Sequence, residues 1–201
     1  MKIVILGEDN RFMNELKALV ENGISYASVV VCFDNTDFFD KIKFANVDVF
    51  LTVINNRNFK TCFQFADILI GKRTHIKIGF LYDYLLEDWI DQVNRRNIHL
   101  IDKKSLEIIR DIRKVISGKF VKYKAEKNLT LKEADVLQLL SKDMTLEEMG
   151  GELDMSPKTV GTHRAKIYAK LGVSSQGAAV RRGIELGIIS IDYVEVAKEF
   201  L

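Results

Sequence analysis

The chain is poor in several residue types that organise other classes of protein. Among 201 residues there are one proline, one tryptophan, two cysteines and three histidines. Two cysteines, Cys32 and Cys62, allow at most one disulfide, and a cytosolic chain keeps both thiols reduced. The histidines, His75, His99 and His163, are scattered and show no metal-ligand spacing, so no metal or cofactor is expected. The longest early apolar run, Ile3 to Leu6, is too short for a signal peptide or a membrane span, so the expectation is a cytoplasmic protein with no membrane partner. Net charge is only +2, and attraction to a polyanion must therefore be local if it exists. With 47% hydrophobic and 29% charged residues, what remains is an ordinary globular composition, long enough for one or two cores.

The first half alternates apolar runs with segments of helical spacing. The runs are KIVIL (2–6), YASVVVCF (26–33), DVFLTVI (48–54), IKIGFLY (76–82) and IHLI (98–101). They are continuous and rich in β-branched residues, as strands buried on both faces of a parallel sheet must be. Phe12, Leu16, Leu19 and Val20 would share one helix face. Residues 35–44, 89–93 and 106–116 read similarly, the last ending at Gly118 as a C-cap. These features predict a doubly wound α/β domain over 1–117. The basic, weakly patterned stretch GKFVKYKAEKN (118–128) reads as a linker.

No strand pattern recurs after it. Four helices are predicted over 131–141, 146–153, 158–171 and 176–186, forming a small all-α domain over 129–201. Thr130 with Glu133, and Thr145 with Glu148, have capping-box spacing. Ser156 can cap the third helix, with Pro157 at its first position. The tail ISIDYVEVAKEFL (189–201) offers Ile191, Val194, Ala197 and Leu201 at helical spacing.

One further absence is local. MSPKTVGTHRAKIYAKLGV (155–173) contains no carboxylate, although Lys158, Arg164, Lys166 and Lys170 lie within it. At 100° per residue, Val160, Ile167 and Leu171 fall on one face of a helix. Lys158, Gly161, Thr162, Ala165, Lys166 and Ala169 fall on the opposite half. A helix laid into the DNA major groove faces phosphates and base edges, where lysines displace counterions and a carboxylate is repelled. The preceding helix, with Glu147, Glu148 and Glu152, suits a supporting role. A short helix, a turn and this helix make the helix-turn-helix arrangement.

LTLKEADVLQLL (129–140), TLEEMGGELDMSPKTVGTHRAKIYAKLGV (145–173) and AAVRRGIELGII (178–189) together resemble the LuxR/NarL-type DNA-binding domain. The resemblance implies a four-helix domain whose third helix enters the major groove of double-stranded DNA. It implies phosphate contacts by Thr145, Thr159 and Lys170, with Thr162, Ala165 and Lys166 on the base-facing side. Gly161 and Arg164 depart from the family pattern: a lysine often stands at the first and an apolar residue at the second. The stem of Arg164 would cover apolar surface while its head reaches a phosphate. His163 reads as a packing residue.

The α/β half followed by this module resembles a NarL-type response regulator, whose receiver is CheY-like. The resemblance implies a set of phosphotransfer parts at the carboxyl ends of the strands. Glu8 and Asp9 stand at the acidic-pair position, although they and Asn10 also suit the cap of the first helix. Val53 stands where the family has its phosphoacceptor aspartate, Tyr82 where it has Ser or Thr, and Asp102 or Lys103 at its lysine. A valine cannot accept a phosphoryl group, so a degenerate receiver and a regulator independent of phosphorylation are expected.

The expectation is a DNA-binding transcription regulator, not an enzyme, acting as a homodimer, with RNA polymerase or another regulator as further partner. Two rivals stand beside it. One is an interaction protein whose receiver-like domain binds another regulator. The other is a small-molecule-binding or enzymatic α/β domain, against which LGEDNRF after the first strand supplies only one glycine rather than a phosphate-binding loop.

Overall fold

The computed structural model describes residues 1–42, 46–72, 75–124 and 128–189 and divides into two compact units, one of Met1–Asp83 with Asp91–Lys124 and one of Tyr84–Ile90 with Ala125–Leu201.

The first unit alternates strand and helix: β1 (Lys2–Leu6), α1 (Asn10–Gly23), β2 (Ser28–Cys32), α2 (Asn35–Ile42), β3 (Val49–Ile54), α3 (Phe59–Lys72), β4 (Lys77–Tyr82), α4 (Glu87–Arg96), β5 (His99–Asp102) and α5 (Ile108–Ser117). The first turn of α4 counts with the second unit. All strands pair in parallel, in the order β2-β1-β3-β4-β5. Successive side chains leave a strand on opposite faces, which is why the apolar runs are continuous. Ile3, Ile5, Leu51, Leu81 and Ile101 pack with Met13, Leu16 and Val20 of α1 and with Ile112 and Val115 of α5. Phe50 meets Phe38 of α2 with ring centroids 5.1 Å apart, and Phe80 meets Phe63 of α3 at 5.3 Å. Gly118 ends α5 in the left-handed conformation, φ 67°, which a residue without Cβ adopts freely.

Helix α3 occupies a segment to which the sequence analysis assigns no element. Cys62, Phe63, Phe65, Ala66 and Leu69 are buried, while Ile68 and Ile70 are exposed. Cys62, Phe65, Ala66 and Leu69 stand at helical spacing and form its buried stripe, with Lys60, Gln64 and Asp67 on the opposite side. The stretch read as a linker is also divided. Residues 118–124 stay with the first unit, because the Leu100 amide donates to the Tyr123 hydroxyl (2.8 Å) and Asn94 exchanges two hydrogen bonds with the Tyr123 backbone (2.9 Å each).

The second unit holds α6 (Leu131–Leu140), α7 (Leu146–Leu153), α8 (Pro157–Leu171) and α9 (Gln176–Glu185). Both capping boxes form, at Thr130/Glu133 and Thr145/Glu148, and Ser156 caps α8 with Pro157 in its first turn. Leu129, Val136, Leu137, Leu140, Met149, Val160, Ile167 and Ala179 make the buried centre. The patterned tail beyond Ile189 lies outside the described residues. Among the described residues, no helix is long and apolar enough to cross a membrane.

Candidate nucleic-acid interface

The joint between α7 and α8 is set by backbone geometry. Asp154 ends α7 in the left-handed region, φ 53° and ψ 48°, and the Met155 amide donates back to the Gly150 carbonyl at 2.8 Å. A Cβ built on Gly150 would stand 2.6 Å from the Met155 carbonyl oxygen. The turn therefore lies flat against α7 at the one place where no side chain intervenes. Ser156 then accepts from the Thr159 amide at 3.1 Å and starts α8. Sequence reasoning passed over Gly150, although two glycines inside a helical pattern signal a close backbone approach.

Helix α8 buries Val160 and Ile167 and leaves Lys158, Thr159, Thr162, Ala165, Lys166 and Ala169 exposed. Neither Lys158 nor Lys166 has an ion pair among the described residues. The exposed face is thus cationic, small-sided and free of acid. Gly161 is half-buried; a Cβ there would meet only Leu146, at 3.9 Å, so this glycine is not required by packing. Arg164 is half-buried beside the core face, and His163 holds a buried Nδ1 without a hydrogen-bond partner among the described residues.

The hydroxyls have local partners. Thr145 Oγ1 accepts from the Glu148 amide (3.3 Å) and donates to Glu148 Oε2 (2.9 Å). Hydrogen bonds from the Thr145 backbone and side chain hold the Glu148 carboxyl below its ordinary value. Thr159 Oγ1 pairs with Ser156 Oγ at 2.7 Å, and Thr162 Oγ1 donates to the Lys158 carbonyl at 3.0 Å.

Lys170 departs most from its expected place. Its Nζ donates to Glu133 Oε2 (2.8 Å), to the Asn128 carbonyl (2.8 Å) and to Glu87 Oε2 (3.3 Å), all within the second unit. Burial pushes the Glu133 carboxyl up, but hydrogen bonds from Lys170 and Thr130 outweigh it and hold the group below the usual range. Burial likewise lowers the Lys170 ammonium, and Glu133 and Glu87 raise it again to a net upward shift. With three oxygens around it, this ammonium is an internal tie, and contact with a phosphate would have to break the cluster. Lys170 therefore holds a structural place in the unbound protein, and a phosphate contact there would compete with these three oxygens.

In the first unit the topology brings the expected phosphotransfer positions to one edge of the sheet. Asp9 Oδ1 caps α1 by accepting from the Phe12 amide at 3.0 Å. Glu8 is exposed. Val53 lies half-buried opposite Leu81 of β4, presenting a hydrocarbon. Tyr82 is half-buried; burial, then the nearby Asp102, push its phenol above the ordinary value. Lys103 pairs with Asp83 at 2.9 Å and lies over the Phe12 ring, 4.7 Å from its centroid. No group of three or more His, Cys, Asp or Glu residues among those described is placed to hold a metal ion.

A parallel five-stranded sheet of this order, followed by a four-helix unit with a helix-turn-helix, defines the fold: a CheY-like α/β unit joined to a helical DNA-binding-type module. Residues 127–182 match the family described as GerE, bacterial regulatory proteins, luxR family. The chain belongs to this family. It is 36% identical over 63 residues to the spore germination protein GerE of Bacillus subtilis, a match covering 31% of this chain and 85% of that protein. It is 34% identical over 70 residues to the uncharacterized response regulatory protein YgeK of Escherichia coli, covering 35% of this chain and 48% of YgeK. The chain thus spans about half the length of that relative. The solved complex of the two-component response regulator RcsB with DNA shares the fold at 18% identity, with TM-score 0.53 over 92% of this chain and 98% of that one.

Proposed function

We propose that the protein is a transcription regulator that binds double-stranded DNA through α8, as a homodimer in the cytoplasm, with a receiver that works without aspartyl phosphorylation. The observation that carries the reading is the exposed, acid-free face of α8 with Lys158, Thr162 and Lys166, held out by a turn that packs directly on Gly150. Lys158 and Lys166 contact phosphates or base edges, Thr162 joins the base-facing set, and the Arg164 head reaches the backbone from the helix flank. Thr159 offers its hydroxyl to a phosphate from the start of α8, and Thr145 does so from the start of α7 by turning its hydroxyl proton from Glu148 to the phosphate. Small residues at 161, 165 and 169 let the helix approach closely, which gives DNA shape a share in the readout. Family membership supports the DNA-binding part. Support for a degenerate receiver comes from Val53 at the phosphoacceptor position and from Asp9 serving as a helix cap.

The test is DNA affinity as a function of salt. Neutralising Lys158 or Lys166 to alanine should each reduce the magnitude of the log–log salt slope by about one. An unchanged slope and affinity in both variants would remove the assignment of α8 to the groove.

A further inference from the structure

Where strand order reverses, between β1 and β3, a doubly wound sheet leaves a crevice at its carboxyl edge. Here that crevice is a cavity of about 310 Å³ reaching from the ends of β1 and β2 across β3 to the first two turns of α3. It faces the β2 side, and Val53, Tyr82 and Lys103 are not among its walls. It is therefore distinct from the degenerate phosphotransfer positions, sharing only Glu8 with them.

The walls are sorted by chemistry. Thr52, Cys62 and Phe65 form a buried floor. Thr52 Oγ1 lies 3.7 Å from Cys62 Sγ, so the hydroxyl and thiol satisfy each other. Burial pushes the Cys62 thiol up to about 11, which keeps it protonated and the floor uncharged at neutral pH. Glu8, Asp34 and Arg57 form an exposed rim. One oxygen of Asp34 accepts from the Asp37 amide at 2.8 Å, and Glu8 has no partner among the described residues.

An uncharged floor accepts an apolar tail, whereas a rim carrying both signs accepts a head group carrying both signs. The volume corresponds to about ten water-sized units, hence a ligand of about ten non-hydrogen atoms. Among the described residues no metal-holding group exists, so the two carboxylates do not define a cation site. We infer that this cavity binds a free α-amino acid with an apolar side chain, its ammonium between Glu8 and Asp34, its carboxylate at Arg57 and its side chain on Thr52, Cys62 and Phe65. This gives the receiver a small-molecule input in place of phosphorylation.

Calorimetric titration of the full-length chain tests the assignment without reference to DNA, so its outcome is separate from that of the proposed function. L-leucine and L-phenylalanine are the probes. Isocaproate, which lacks the amine of leucine, and isoamylamine, which lacks its carboxylate, are the comparisons. Saturable binding of an amino acid is expected, weaker by roughly tenfold for each analogue. Glu8→Gln and Arg57→Gln should each weaken it by a similar factor while circular dichroism stays that of the parent. Asp34→Asn, which keeps the acceptor that caps α2, isolates the charge effect from folding. Absence of saturable binding for both amino acids would overturn the inference, as would equal affinity for leucine and either analogue, or affinity unmoved in all three variants.

Discussion

Replacing Lys170 by methionine separates the two roles that this side chain could play. Methionine keeps an unbranched apolar stem and deletes the ammonium that lies 2.8 Å from Glu133 Oε2, 2.8 Å from the Asn128 carbonyl and 3.3 Å from Glu87 Oε2. The Glu133 side chain is only 4% exposed, so it would be left as a buried carboxylate that retains just its capping contacts with Thr130. Removing one partner of a buried pair costs about 3–5 kcal/mol. Lys170 itself is 25% exposed, so water enters the vacated place, and the cost falls to about 2–3 kcal/mol. Lys158→Met and Lys166→Met, at exposed positions without ion pairs, should stay within about 0.5 kcal/mol of the parent. Native-state hydrogen exchange of amides in α6 and α8 reads the difference: roughly 30- to 150-fold faster exchange in Lys170→Met. The effect has a defined pH sense. Glu133 is depressed from its ordinary 4.5, so the cluster contributes fully above that value and is lost as pH falls through the lower folded-state value. Parent and variant should therefore converge in strong acid. Exchange unchanged by the substitution, together with a DNA salt slope reduced by about one, would show that Lys170 is a phosphate contact after all.

Three other outcomes follow from the same geometry. Gly150→Ala brings a methyl group within 2.6 Å of the Met155 carbonyl oxygen and should destabilise the second unit by about 1–3 kcal/mol, whereas Gly151→Ala, with nothing within 4 Å, should stabilise it by about 0.5–1 kcal/mol; opposite shifts in thermal midpoint check the pair. Acetyl phosphate with Mg²⁺ should leave the intact mass unchanged, since Val53 offers no nucleophile; a stoichiometric phospho-adduct on an aspartate of residues 1–117 would contradict the degenerate receiver. Sedimentation of untreated full-length protein at micromolar concentration should show a dimer; a monomer that also occupies its operator as a single copy would defeat the dimer proposal, while pairing only on DNA would relocate the assembly step.

Much of the architecture is written in local patterns. Continuous β-branched runs specify strands buried on both faces, and the five strands form where those runs stand. Helix starts in the second unit are legible because a cap and its partner lie three residues apart, as at Thr130/Glu133 and Thr145/Glu148. The acid-free window announces the exposed face of α8, because charge along one helix is read at a spacing of a few residues. Helix α3 also carries a legible stripe, with Cys62, Phe65, Ala66 and Leu69 at helical spacing. Lys170 has the same spacing whether it serves a phosphate or Glu133; their separation of 37 residues makes the choice a matter of how α6 packs on α8. The cavity is further still from the sequence, for its floor and rim come from β1, β2, β3 and α3 and meet only when strand order reverses beside β1. Local propensity and capping act over a few residues and so are determined by the sequence directly. Which charges are neutralised, and which side chains share a cavity, depends on contacts between distant segments, and these exist only in the tertiary structure.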